Sequence, residues 1–594
     1  MTIPLHNRVF SEVGFSSLTS RASLPIASAV RMMLIGYLLA VGYSQAQTAA
    51  PAVTTIQVDL NQDRGPLKPI WAWFGYDEPN YTYMKDGQKL LTEISQLSRV
   101  PVYVRAHSLL VTGDGKPGLK WGSTNAYTED TNGKPVYNWT IVDRIFDTYI
   151  KRGMKPIAQI GFMPEALSTH PQPYKHNWSP GDKYSTVFTG WAYPPKDYTK
   201  WAELVYQWVR HSVSRYGQKE VESWYWELWN EPNIPYWKGT VEEYIKLYDY
   251  TADAVKRALP TAKIGGPEVT GPGSEDSQKF FKAFMDHIVS GKNAVTGQTG
   301  APLDFITFHA KGAPKLVKDA SGESHVQMNM GTQLRDIDKG FAIVSSYPTL
   351  KHLPIIIGES DPEGCAACSE DFHPQNAYRN GTMYSSYTAA SFARKYDLAQ
   401  AREVNLLGAV TWAFEFEDQP WFRGFRDLAT NGVDKPVLNV FRMFGMMPGQ
   451  RVAVQGGGAY DYARVRDESV RAEADVNALA SRDAKSMAVL VWNYHDDNVV
   501  APAAPVSIQV KGMPAKQATL RHYRIDNQHS NSYEVWKKMG SPQKPTTSQI
   551  ADLEKAGQLQ QLTAPATVSI TNQTATLAFE LPRQGVSLLL LTWP

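Results

Sequence analysis

Eight short apolar runs recur along this chain, at 70–75, 100–106, 155–162, 224–230, 263–269, 304–310, 354–360 and 406–414. Each is followed by a loop. The longer stretches after them, such as 199–216, 240–259 and 376–403, mix charged and apolar residues at a period near 3.6. Strands alternating with amphipathic helices build a parallel sheet with crossover helices. Eight such units close on themselves, so the expected fold is α/β: a (β/α)8 TIM barrel over 66–448. In that architecture reactive side chains sit at the C-terminal ends of the strands. Pro448-Gly449 marks the next boundary. Beyond it, apolar-alternating segments at 487–494, 504–510, 567–571, 575–579 and 586–591 predict an all-β sandwich domain over 449–594.

Two strand ends carry acids. The aromatic run Trp224-Tyr-Trp-Glu-Leu-Trp-Asn230 leads into Glu231-Pro232-Asn233. Pro232 has no N–H for a sheet ladder, which predicts that the strand stops there with Glu231 at its tip. Pro354-Ile-Ile-Ile-Gly358 leads into Glu359. Three consecutive Ile suit a strand buried on both faces, and Gly358 allows close backbone approach. By this count Glu231 ends strand four and Glu359 ends strand seven. Glycosidases use two carboxylates across the scissile bond, roughly 5–5.5 Å apart when configuration is retained. The pair therefore suggests Glu231 as acid/base and Glu359 as nucleophile. A charge on Glu359 would then raise the pKa of Glu231 in the free enzyme.

Other strand ends supply candidate substrate ligands. Asn230 can donate to a sugar 2-hydroxyl. Arg105 and His107 end strand two, where Arg105 either keeps the nucleophile ionised or forms a structural ion pair. His309 ends strand six and suits the nucleophile, a sugar hydroxyl or a structural bond. Trp412 ends strand eight, where an indole can floor a sugar site. Glu415 and Glu417 follow closely, either as ligands of sugar hydroxyls or as solvated loop charges. The long segments 108–138 and 162–198 read as pocket walls.

These features resemble glycoside hydrolase family 39, whose best-known activity is β-xylosidase. The resemblance rests on Asn230-Glu231, Glu359, Phe74-Gly-Tyr-Asp-Glu-Pro-Asn-Tyr81, Asp304-Phe-Ile-Thr-Phe-His309 and Tyr523-Arg-Ile-Asp-Asn-Gln-His-Ser-Asn-Ser-Tyr533. It runs from about residue 55 to the C-terminus. It implies a retaining TIM-barrel glycosidase with an Asn-Glu acid/base pair after strand four and a Glu nucleophile after strand seven. It also implies that the strand-like segment 53–60 completes the C-terminal sandwich. The expected activity is exo-hydrolysis of β-xylosides or xylo-oligosaccharides. The alternatives are a glucosidase, an arabinosidase, an endo-acting polysaccharide hydrolase or a non-catalytic sugar-binding barrel. The chain departs from the commoner family pattern in Asp361-Pro-Glu-Gly-Cys-Ala-Ala-Cys368, where an aromatic is more usual.

Composition excludes other classes. A formal charge of +2 over 594 residues leaves no basic stripe for nucleic acid. Gly456-Gly-Gly458 lacks a strand–loop–helix setting for phosphate, and no His/Glu spacing suggests a metal, so no cofactor is expected. Arg8, Arg21 and Arg31 precede an apolar run at 32–42 and the small-residue site Ser44-Gln-Ala46. This predicts a signal peptide over 1–46 and export to the periplasm or beyond the cell. That run is too short for a stable membrane anchor. The only cysteines, Cys365 and Cys368, either form a small disulfide loop in an exported protein or remain two free thiols.

Overall fold

The computed structural model describes residues 52–458 and 460–594; the expected signal peptide lies outside the described residues. Eight parallel strands pair in chain order: β1 (Trp73–Tyr76), β2 (Tyr103–Ala106), β3 (Lys155–Ile160), β4 (Tyr225–Leu228), β5 (Lys263–Thr270), β6 (Phe305–His309), β7 (Pro354–Glu359) and β8 (Asn405–Ala409). A parallel bridge between Phe74 and Thr411 closes β8 onto β1, with Gly75 N–H donating to Thr411 O over 3.0 Å. The sheet is thus a (β/α)8 barrel. Its strands are apolar and short because both faces are covered: Ile355, Ile356 and Ile357 are fully buried.

The helices are α1 (Lys85–Ser95), α2 (Thr140–Ile150), α3 (Tyr198–Tyr216), α4 (Val241–Ala258), α5 (Glu275–Ser290), α6 (Met330–Ser345), α7 (Thr382–Ala401) and α8 (Pro436–Gly445). Most bury one stripe against the barrel. At the start of α4, Thr240 and Glu243 form a reciprocal capping box that satisfies two otherwise unpaired N–H groups. The expected helix at 376–403 instead begins as a 3-10 turn, Pro374–Asn380, and becomes α7 only after Gly381. Nearly every side of α7 is buried, because it lies between the barrel and the C-terminal domain. There Arg394 reaches Asp475, which also accepts from Trp492 Nε1 over 2.8 Å.

That domain is one ten-stranded sheet curled around its own core, which includes Ile56, Val58, Val489, Val491, Ile508, Val510 and Leu589. The strand Thr54–Pro66 enters it from before the barrel. It pairs antiparallel with Gln450–Gly456 and parallel with Ala504–Lys511. Asp475–Arg482 and Gln517–Ile525 are strands that the apolar pattern does not reveal. The helix Ser532–Lys538 docks Trp536 against Phe422, in the loop after β8, with ring centroids 5.1 Å apart.

Candidate active site

The strand carrying the first acid ends earlier than Pro232 dictates. β4 stops at Leu228 because Trp229 turns to φ 67, and Glu231 follows at φ 44. Non-glycine residues rarely adopt this left-handed region, and each costs about 1–3 kcal/mol unless its surroundings hold it. Here Trp229 Nε1 donates to Tyr236 O over 2.9 Å, and Glu231 N–H donates to Glu268 O over 3.0 Å. The bend aims the Glu231 carboxylate across the barrel mouth. Glu359 is the last residue of β7 and needs no such bend. One oxygen of each carboxylate lies within 4.8 Å of the other. Both face a cavity of about 450 Å³, whose walls include Tyr184, Tyr236, Trp412 and the loop Glu363–Cys368.

Four cationic or imidazole groups surround the pair. Lys311 Nζ bridges it, 3.0 Å from Glu231 and 2.7 Å from Glu359. Arg105 Nη1 and His107 Nε2 are each 3.7 Å from Glu359, and His309 Nδ1 is 3.6 Å from it. His309 Nδ1 is closer to Glu231, at 2.9 Å. This corrects the expected sign of the Glu231 shift. Burial raises its pKa, but Lys311 and His309 outweigh burial and hold it well below the usual carboxylate range. Coulomb energy falls with distance, so a cation at 3.0 Å beats the anion of Glu359 farther off.

Arg105 forms the structural ion pair considered for it and also approaches Glu359. Its Nε donates to Glu227 over 2.5 Å and its Nη2 to Asn230 Oδ1 over 3.1 Å, while Nη1 faces Glu359. Because Asn230 accepts from Arg105, its amide nitrogen is left buried and unpaired at the site, ready to donate. Trp412 lines the pocket, with Nε1 donating to Asp77 Oδ1 over 2.9 Å. A side chain on Gly75 would collide with its indole, so that glycine makes room for it. Asp77 is itself paired with Lys120 and His107.

Glu415 and Glu417 do not reach the pocket. Glu415 is buried and accepts from Gly432 N–H over 2.6 Å, and Glu417 accepts from Asp86 N–H over 2.9 Å. Backbone donors claim both carboxylates, and their role is to hold the loops after β8. Lys311, Glu268 and Asp77 are the site groups that sequence reading missed. Asp77 lies inside the Phe74–Tyr81 segment that carries the family resemblance, and that segment is its sequence signal.

Cys365 and Cys368 are bonded, with Cα atoms 5.5 Å apart. Arg379 clamps the same loop by donating to Cys365 O and Cys368 O, each over 3.0 Å, and to Glu363 over 2.6 Å. Peptide mapping without reductant is expected to recover both cysteines in a form lighter by two hydrogens. Full alkylation of both thiols in protein purified from an oxidising compartment would contradict the bridge. Melting temperature should barely depend on it, since so small a loop removes little unfolded-state entropy.

Comparison with known proteins fits this arrangement. The profile described as glycosyl hydrolases family 39 matches residues 54–574. A β-xylosidase of Geobacillus stearothermophilus is 26% identical over 465 residues, covering 76% of this chain and 79% of its own length. An α-L-iduronidase of Mus musculus is 24% identical over 537 residues, covering 83% and 74% respectively. The crystal structure of a family 39 enzyme from Xanthomonas axonopodis pv. citri superimposes with a TM-score of 0.69 at 22% identity, covering 93% of this chain and all of that one. With a barrel, two facing carboxylates and a family profile spanning most of its length, the chain belongs to glycosyl hydrolases family 39 and is a glycosidase.

Proposed function

We propose that this protein is a retaining exo-glycosidase acting on β-xylosides or xylo-oligosaccharides by double displacement. The observation that carries the mechanism is the approach of Glu231 and Glu359 to within 4.8 Å at the barrel mouth. That upper bound falls short of the roughly 6.5–9.5 Å that inverting enzymes need to admit a water, and so favours a direct nucleophile. Glu359 attacks the anomeric carbon while the leaving oxygen takes a proton through Glu231. Glu231 then takes a proton from water as water displaces Glu359. The unpaired Asn230 amide suits the sugar 2-hydroxyl. Similarity to β-xylosidases supports the xylo-configured sugar. The same reading includes export to the periplasm or beyond the cell, supported by the leader-like pattern of the first 46 residues and by the Cys365–Cys368 bond.

A second substrate reading has its own support. Lys311 is a partly buried cation bridging the two carboxylates, and a sugar bearing a C5 carboxylate would give it a further anionic partner. Similarity to an α-L-iduronidase points the same way. One experiment tests both readings: a panel of nitrophenyl β-xyloside, β-glucoside, α-arabinoside and uronides, followed by proton NMR of the first-formed sugar. The β-xyloside is expected to be cleaved fastest, with retained anomeric configuration. A uronide that leads the panel selects the second reading. Inversion with any substrate removes the two-step mechanism.

A further inference from the structure

Glu268 is a fully buried carboxylate on β5 that the double-displacement reading leaves without a task. Its backbone lies at φ 59, which breaks the strand's side-to-side alternation and turns the side chain toward the barrel axis. There it fills the space beside β7. A side chain on Gly358, the residue before Glu359, would collide with both Glu268 carboxylate oxygens. The absence of a side chain at 358 therefore makes room for Glu268.

One Glu268 oxygen is bonded to His309 Nε2 and lies 3.3 Å from Arg105 Nη2. The other ring nitrogen, Nδ1, is 2.9 Å from Glu231 Oε1. His309 itself is fully buried. The Glu268 carbonyl also accepts the Glu231 backbone N–H over 3.0 Å. Glu268 thus holds the acid at its backbone directly and at its side chain through an imidazole.

We propose that Glu268 is a positioning residue that keeps a second proton on His309, so that Glu231 and His309 form one proton-sharing acid/base unit. The inference rests on Glu231 being the acid/base. In the first step the bond from C1 to the leaving oxygen breaks as the bond from C1 to Glu359 forms. The leaving oxygen takes a proton from Glu231, which receives the His309 Nδ1 proton. His309 is left neutral, with its remaining proton on Nε2 bonded to Glu268. In the second step water attacks C1 and the ester to Glu359 breaks. The water proton passes to Glu231 and on to Nδ1, which restores the starting state.

The surrounding charges favour this arrangement. His309 faces Glu268 from β5, Glu231 from beyond β4 and Glu359 from β7, and Lys311 stands across Glu231 and Glu359. Arg105 and Glu227 lie behind Glu268, with His107 beside Arg105. Burial alone would strip the imidazole of its second proton, but Glu268 and then Glu359 outweigh burial and push His309 up to about 9. Glu268 stays ionised because Arg105 and His309 outweigh its own burial. Glu227 next to it is pushed up by burial and by Glu268, against the pull of Arg105.

The test is the pH profile of kcat/KM for an aryl glycoside with a poor leaving group, in wild type and Glu268→Gln. The glutamine keeps an acceptor for Nε2–H and removes the charge. The alkaline limb is expected to move down by at least one pH unit, with a melting curve close to wild type. A uniformly slower enzyme with an unmoved limb would mean Glu268 is only structural. Should Glu268→Gln not fold, ¹⁵N-histidine spectra of the wild type decide. One imidazole among 13 histidines, assigned by its loss in His309→Gln, should remain doubly protonated above pH 8. A neutral His309 at pH 8 overturns the proposal. Failure of the underlying acid/base assignment would look different, as an equal loss for good and poor leaving groups in Glu231→Ala.

Discussion

Replacing Glu359 with Gln is expected to abolish turnover, by on the order of 10⁴- to 10⁶-fold in kcat, since an amide cannot form the glycosyl ester. The fold should survive. Lys311 loses one carboxylate at 2.7 Å but keeps Glu231 at 3.0 Å, so this partly buried cation is not left unpaired. Arg105 retains Glu227 and Glu268. A melting temperature close to wild type, with turnover gone, is the expected pair of results. Glu359→Gly with added azide should recover activity and give a glycosyl azide of inverted configuration, because a small anion enters the space vacated beside Lys311. Activity in Glu359→Gln within about tenfold of wild type would remove the nucleophile assignment, given how much a covalent nucleophile contributes.

Glu231 and Glu359 are legible in the sequence because each closes an apolar run, and a buried parallel strand ending in an acid has few structural uses. The barrel is legible for the same reason: its strands are covered on both faces and read as nearly continuous apolar segments. Lys311 is not legible. It stands two residues past β6 in a loop, where no periodicity tells which way a side chain turns. Without Lys311 and the close His309, the charge on Glu359 would be the dominant neighbour of Glu231, which is why the expected and observed signs of its shift differ. Glu268 is hidden differently. Within Lys263–Thr270 strict alternation would fix its facing, and only the turn to φ 59 sends it to the nucleophile strand. Glu415 and Glu417 failed in the opposite direction. Their alternation with Phe414 and Phe416 looks like a strand tip, yet β8 ends at Ala409, and the backbone N–H groups of Gly432 and of Asp86 at the start of α1 claim the two acids. The strands Asp475–Arg482 and Gln517–Ile525 carry too many polar residues for a simple apolar count. Their facing is set by neighbours in the sheet, a long-range property.

The acid/base makes a sharper test than the nucleophile, because its loss should depend on the substrate. Nitrophenolate leaves without much help from a proton, whereas an alkoxide or a phenolate of high pKa does not. Glu231→Ala should therefore slow poor leaving groups by roughly 10²- to 10⁴-fold in the first step, while nitrophenyl glycosides lose far less there. For them the second step becomes limiting, since no carboxylate remains to activate water, and the glycosyl ester on Glu359 should accumulate. The structure says what can rescue it. Removing the carboxylate leaves Lys311 and His309 facing an empty space that an anion suits, 3.0 Å and 2.9 Å from where the lost oxygen stood. Azide should enter there and attack from the face that water uses. The product is then a glycosyl azide of retained configuration, opposite to that from Glu359→Gly. Equal losses for both leaving groups, with no azide product, would show that Glu231 only binds sugar or supports the pocket. Opposite azide anomers from the two variants would assign both carboxylates in one pair of experiments, because each anomer reports the face from which its missing oxygen acted.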